Sequence, residues 1–157
     1  MIYTSKPSNF NSTIEIVSCL IEYDSKILFL LRQDHKSYPN QRWPPAWKVN
    51  NWESLEDAII RETFEETWIQ LDQKNIKYLW KNYVRHWSFD FIYHEYFYKL
   101  ENLSEIKIHP DEHKKFGWFF SQESLKLNLV DDQDICMKNF MKWKSSLKVI
   151  KIPCNPL

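Results

Sequence analysis

Residues 47–69 read WKVNNWESLEDAIIRETFEETWI and combine a helical apolar pattern with an acidic cluster. At about 100° per residue, Glu62, Glu65 and Glu66 share one sector of a helix about 100° wide. Two turns earlier the same sector is apolar, with Leu55, Ala58 and Ile59. Like charges at this spacing destabilise a helix unless a cation neutralises them, and oxygen-ligated Mg²⁺ is the natural candidate.

A plainer interpretation of this helix stays open. Arg61 lies four residues from both Asp57 and Glu65, which is the spacing of ion pairs on a solvated helix surface. In that case the acidic cluster is surface, and the chain is a structural or interaction domain.

The charged positions of this stretch resemble the signature of the Nudix hydrolases. Every signature spacing is kept, at Glu53, Arg61, Glu62, Glu65 and Glu66. Both signature glycines are replaced, by Trp47 and Trp68. The resemblance extends more weakly over about residues 14–127. It implies one domain spanning residues 1–157, with a core at about 13–147, folded as a Nudix-type α/β/α sandwich with a mixed β-sheet.

The resemblance also implies a reaction, in which water attacks a phosphorus of a nucleoside diphosphate linked to another group. The cofactor would be Mg²⁺, with Mn²⁺ as a possible substitute. Glu62 and Glu66 would be the main metal ligands, with Glu65 sharing the metal. Glu62, Glu65 and Glu112 are alternative general bases. Glu53 would pair with Arg61 and order the preceding loop, or reach the metal through water.

Lys48, beside the loop that precedes the helix, is a candidate contact for a substrate phosphate. A solvated lysine is the equally simple alternative. The substrate itself is expected to be a small nucleotide or another diphosphate compound.

Composition limits the partners and the compartment. Lys+Arg and Asp+Glu both number 21, so no overall basic field favours a nucleic acid polymer or an anionic membrane. The apolar stretches are shorter than the roughly 20 residues of a membrane span. With no signal-peptide pattern at the start, we expect a cytoplasmic protein. The three cysteines have no metal-site spacing and are expected to be reduced thiols without a function.

The remaining chain predicts a mixed α and β domain. A hairpin is expected over residues 13–23 and 26–32, a loop over 33–45 and a short extended piece at 48–50. Further strands are expected at 76–86, 89–100 and 116–120. Ser121 would cap a helical turn through Leu127, a closing helix would span 131–147, and 148–157 would form a tail.

The strand at residues 89–100 alternates two sets of side chains. Aromatic residues alternating with Glu95 form one set, namely Phe89, Phe91, Tyr93 and Phe97. One face should be buried and the other should line a cleft, where aromatic rings can stack on a nucleobase, although strand aromatics more often belong to a core. The histidines have no spacing typical of a metal site and are interpreted as ordinary polar residues.

Glycine usage is abnormal, since the chain has one Gly and eight Trp where about eleven Gly would be usual. Trp43, Trp47, Trp52 and Trp68 fall where relatives carry Gly. A bulky side chain is a poor substitute for Gly at positions with positive φ. We therefore hypothesise that the gene reads UGA as Gly, and that Trp80, Trp87 and Trp143 have the same origin, whereas Trp118 is genuine. A Nudix-like binding module without turnover is the main alternative function.

Overall fold

The computed structural model describes residues 1–103 and 105–149. Its helices are α1 (Leu55–Thr67), α2 (Ser121–Ser124) and α3 (Gln133–Val149), with a 3-10 turn at Gln73–Asn75. Its strands are β1 (Ile2–Tyr3), β2 (Glu15–Tyr23), β3 (Lys26–Arg32), β4 (Arg42–Trp43), β5 (Ala46–Lys48), β6 (Lys77–Arg85), β7 (Asp90–Lys99) and β8 (His113–Phe120). The part of the predicted tail from residue 150 onward lies outside the described residues.

The strands form one mixed sheet, as predicted. Its central order is β1-β6-β7-β2-β3-β4, with β5 paired to β2 and β8 paired to β3. Strands β2 and β7 run parallel, whereas the other neighbours are antiparallel. Strand β3 pairs with the end of β2, and β5 pairs with its beginning, at Ile16, Val17 and Ser18.

Helices pack on both faces of this sheet. Successive side chains of a strand point to opposite faces, so the same strands contribute to a core on each side. On one face, Ala58 and Ile59 of α1 pack on a core that includes Val17, Leu28 and Tyr96. On the other face, α3 contributes Met137 and Phe140 to a core with Leu20, Phe29 and Phe97. The predicted α/β/α sandwich is therefore confirmed.

The β2–β3 hairpin forms where the sequence predicts it. Asp24 and Ser25 both have positive φ, at 46° and 64°, which matches the right-handed twist of the flanking strands. Strand β8 starts at His113, three residues before the predicted start. The two-residue strands β1 and β4 were not predicted, because so short a segment has no readable period.

Both ends of α1 follow the local sequence. Ser54 is the N-cap, and its side chain accepts a hydrogen bond from Asp57 N at 3.1 Å. The helix ends at Thr67, and Trp68 adopts the left-handed conformation with φ 62° and ψ 13°. That conformation is the one that Gly usually provides after a helix.

Within the described parts of the chain, we find no helix long and apolar enough to cross a membrane.

Candidate active site

Arg61 and Glu53 form the best-defined ion pair of the acidic helix. Arg61 Nε and Nη2 donate to the two oxygens of Glu53 at 3.0 and 2.8 Å. Glu53 also accepts from Asn50 N at 2.9 Å, and its side chain is only 3% exposed. The hydrogen bonds from Arg61 hold the pKa of Glu53 below its usual value. The pair therefore fixes the loop that enters α1.

The other signature carboxylates lie together on α1, as the spacing predicts. Arg61 Nη1 contacts Glu62 at 2.7 Å and Glu65 at 3.3 Å. Burial raises the pKa of Glu62, the charges of Glu65 and Glu66 add to that rise, and Arg61 opposes it. Glu65 is 55% exposed, whereas Glu62 and Glu66 are mostly buried. The helix thus concentrates negative charge beyond what Arg61 neutralises.

This donor set suits a divalent cation chemically, because all of its ligands are carboxylate oxygens, which Mg²⁺ prefers. The side chains as they stand do not surround a cation, and no group of three or more His, Cys, Asp or Glu in residues 1–103 and 105–149 is arranged to hold one. The reason is that Arg61 holds Glu62 and Glu65, while a histidine holds Glu66. Binding would require the Arg61 contacts to give way.

The histidine that contacts Glu66 is His113, which the sequence pattern did not single out. Its Nε2 lies 2.7 Å from Glu66 Oε2, and its side chain is fully buried. The two residues are 47 positions apart, so no local pattern connects them. The tertiary structure therefore gives His113 a buried contact with the acidic helix that the histidine spacing did not indicate.

Glu112 precedes His113 in the chain, but its side chain contacts different residues. Arg32 Nη1 and Lys36 Nζ contact its two oxygens, each at 2.5 Å. The hydrogen bond from Lys36 and the charge of Arg32 lower the pKa of Glu112. The structure thus places this candidate base in an ion-pair cluster at the end of β3, apart from the contacts of Glu62 and Glu65.

A cavity of about 410 Å³ lies beside the sheet at the start of α3. Its wall includes Phe89, Phe91 and Tyr93, the aromatic set predicted for one face of β7. Strand β5 also lines it, including the candidate phosphate contact Lys48. Along the chain, Glu53 follows β5 after five residues and leads into the acidic helix.

Polar groups in the cavity wall lack protein partners. Gln133 and Trp47 line the cavity and are more than nine-tenths buried. Gln133 Nε2 and Trp47 Nε1 have no hydrogen-bond partner among the described residues. Asp131 adds a carboxylate to the same wall. Both nitrogen atoms have almost no accessible surface, so they lie behind the largely aromatic wall and are not open to the cavity.

The tryptophans divide into two groups by their surroundings. Trp52 and Trp87 are 78% and 90% exposed, and Trp68 is exposed in the left-handed conformation. In contrast, Trp80 Nε1 donates to buried Glu95 at 2.8 Å, and Trp143 packs on Phe97 and Phe140. Of all these tryptophans only Trp68 has the positive φ that favours glycine, whereas Trp80 and Trp143 have the surroundings of genuine aromatic residues.

The family is established by comparison with known proteins. The sequence model of the NUDIX domain matches residues 13–143, which is most of the chain. The chain belongs to the Nudix hydrolase superfamily, whose members hydrolyse diphosphate linkages. No curated protein matches the chain.

Solved structures share this fold at low sequence identity. The chain is similar to the MutT protein from Methanosarcina mazei, with 20% identity and a TM-score of 0.71 over 86% of this chain and 95% of that one. It is similar to the NUDIX domain of Shewanella oneidensis NrtR complexed with ADP ribose, with 17% identity and a TM-score of 0.71 over 89% and 94%.

A third similar structure contains a metal ion. It is a bifunctional NMN adenylyltransferase/ADP ribose pyrophosphatase from Francisella tularensis, complexed with AMP and a Mn ion. Identity is 22% and the TM-score is 0.67, over 86% of this chain and 43% of that one.

Proposed function

We propose that the protein is a metal-dependent pyrophosphohydrolase that cleaves a nucleoside diphosphate linked to another group. The observation that carries this proposal is the acidic helix with its Arg61–Glu53 pair, which follows in the chain directly after β5, a strand that lines an aromatic cavity. The relatives that bind ADP ribose and AMP support a small nucleotide as substrate.

The cavity would hold the nucleoside. Its volume lies within the usual range of small-molecule sites, and its aromatic wall can stack on a base. Asp131, in the same wall, would accept from a ligand N–H. Lys48, which also lines the cavity, would contact a phosphate.

The acidic helix would supply the reactive half of the site. Glu62 and Glu66 would hold Mg²⁺, with Glu65 sharing it and Mn²⁺ as a substitute. A bound Mg²⁺ neutralises diphosphate charge and lowers the pKa of bound water. Arg61 would keep Glu53 and the entry loop in place. One carboxylate among Glu62, Glu65 and Glu112 would take the proton of the attacking water, and Glu112 could do so only after leaving Lys36.

The test is hydrolysis of a panel of sugar nucleotides, dinucleoside polyphosphates and oxidised nucleoside triphosphates, with and without Mg²⁺. We expect Glu66→Gln to abolish Mg²⁺-dependent turnover, because it removes a ligand charge and little volume, while the fold is retained. Glu123→Gln, outside the site, is the matched control and should be silent. Near wild-type turnover of the Glu66 variant at saturating Mg²⁺ would contradict the metal assignment.

A non-catalytic nucleotide-binding module is the second candidate. Trp47 and Trp68 occupy signature glycine positions, and Trp68 is held in a conformation that disfavours it. Binding of a nucleotide with no metal-dependent cleavage across the panel would favour this function. The absence of any Mg²⁺ or Mn²⁺ effect on thermal stability would favour a structural domain, because a ligand of the native state must stabilise it.

We also propose that residues 1–157 act as one domain with its core at about 13–147, and that the protein works in the cytoplasm without binding a nucleic acid polymer or a membrane. Among the described residues, Cys19 and Cys136 are buried free thiols, which is consistent with a reducing compartment.

A further inference from the structure

His113 joins the sheet to the last turn of the acidic helix. It is the first residue of β8 and pairs with Arg32 of β3. The turn before it docks on the end of α1 through the main chain, since His109 N donates to Glu66 O at 3.2 Å and Lys107 N donates to Thr67 O at 3.1 Å. The fully buried His113 side chain adds the contact to the Glu66 carboxylate.

The direction of this hydrogen bond follows from its chemistry. An ionised carboxylate only accepts, so the proton between the two groups belongs to His113 Nε2. The other ring nitrogen, His113 Nδ1, has no hydrogen-bond partner among the described residues. A bond from Nδ1 therefore does not explain why a histidine is buried here. The contact with Glu66 is the interaction that this imidazole makes.

Glu66 differs from its neighbours in what holds it. In the described chain, Arg61 contacts Glu53, Glu62 and Glu65, and no contact with Glu66 is found. His113 binds only Oε2, and no residue that the structure describes donates to Glu66 Oε1. Glu66 Oε1 is therefore open to a cation while His113 restrains Oε2, and the Arg61 contacts must give way only where Glu62 and Glu65 join the same cation.

We propose that His113 is a positioning residue, which orients the Glu66 carboxylate for a divalent cation; this inference rests on the metal site of the proposed function. Partners of this kind restrict the rotamers of a ligand, and their removal typically weakens metal binding by about 10–100-fold. The competing explanation is that His113 only fills the core, in which case a folded variant would bind metal normally.

The experiment measures the dissociation constant for Mn²⁺ by electron paramagnetic resonance of the free ion, in the absence of substrate. His113→Gln places an amide N–H near the position of Nε2, whereas His113→Asn is too short to reach Glu66. We expect about tenfold weaker Mn²⁺ binding for the Asn variant and for His113→Leu. The Gln variant should stay near wild type. His109→Gln, in the same turn but exposed, is the control and should have no effect.

Equal Mn²⁺ affinity of wild type, Asn and Leu variants would overturn the inference while leaving the metal site intact. Failure of the wild type itself to bind Mn²⁺ would overturn the proposed function and this inference together. If the Leu variant does not fold, the Asn and Gln variants decide between the two explanations. In a Glu66→Gln background, His113→Asn should cause no further loss, and an additive loss would also contradict the inference.

Discussion

Arg61→Ala removes the cation that holds the entry loop of α1, and its effect on stability can be estimated from the structure. Removing one partner of a fully buried ion pair costs about 3–5 kcal/mol, whereas an exposed pair contributes under about 1 kcal/mol. The Glu53 side chain is 3% exposed and that of Arg61 is 29% exposed, so this pair is intermediate. We expect a loss of about 2 kcal/mol.

For a domain of this size, about 2 kcal/mol lowers the melting temperature by roughly 4–8 °C. Thermal and urea unfolding measure the loss. Lys138→Ala, which breaks the exposed pair with Asp134 on α3, is the matched control and should cost under about 0.5 kcal/mol. Arg61→Lys keeps the charge but cannot bind both oxygens of Glu53, so it should be intermediate.

The same substitution should lower Mg²⁺-dependent kcat/KM, because Glu53 and the entry loop lose their fixed position. A loss of stability no larger than that of the Lys138 variant, together with unchanged kinetics, would refute this reasoning. Arg61 would then belong to a solvated helix surface.

Three further outcomes are expected. Burial raises the pKa of Glu95 from 4.5 to about 7, so the folded state binds this proton more tightly than the unfolded chain. The free energy of unfolding should therefore fall by about 3 kcal/mol as the pH rises from 4.5 through about 7. Glu95→Gln should remove this loss between pH 5 and pH 8 in urea unfolding, and an equal loss in both proteins would contradict the assignment. The Trp68→Gly variant should be about 1 kcal/mol more stable than Trp68→Ala. Both variants lose the ring contact with Phe64, but only Gly adopts the left-handed backbone freely. Equal melting temperatures of the two variants would argue against backbone strain at this position. The codons at Trp43, Trp47, Trp52 and Trp68 should be UGA, and UGG codons there would end this hypothesis. Restoring Gly at Trp47, Trp52 and Trp68 should raise stability and Mg²⁺-dependent turnover.

The local features of the site could be predicted from the sequence, because they depend on short spacings. The cap at Ser54, the end of α1 and the shared face of Glu62, Glu65 and Glu66 all follow from helical periodicity. The pairing of Glu53 with Arg61 joins residues only eight positions apart, and the resemblance to the family signature predicted it. The hairpin followed from strand periods and turn residues, whereas the mixed sheet followed from the resemblance to the family.

Contacts between distant segments were decided by the tertiary structure alone. Glu112 meets Lys36 and His113 meets Glu66 because the pairing of β3 with β8 brings the start of β8 beside both α1 and the end of β3. No sequence period records such a pairing, since it depends on how strands are ordered in the sheet.

The cavity has the same origin, as β5, the β6–β7 turn and the start of α3 converge there from separate parts of the chain. The sequence alone determined the family, the acidic helix and which residue types it carries. The tertiary structure decided which partner each of those carboxylates contacts and which cavity forms elsewhere on the sheet. Both depend on burial and strand order, which are properties of the packed chain.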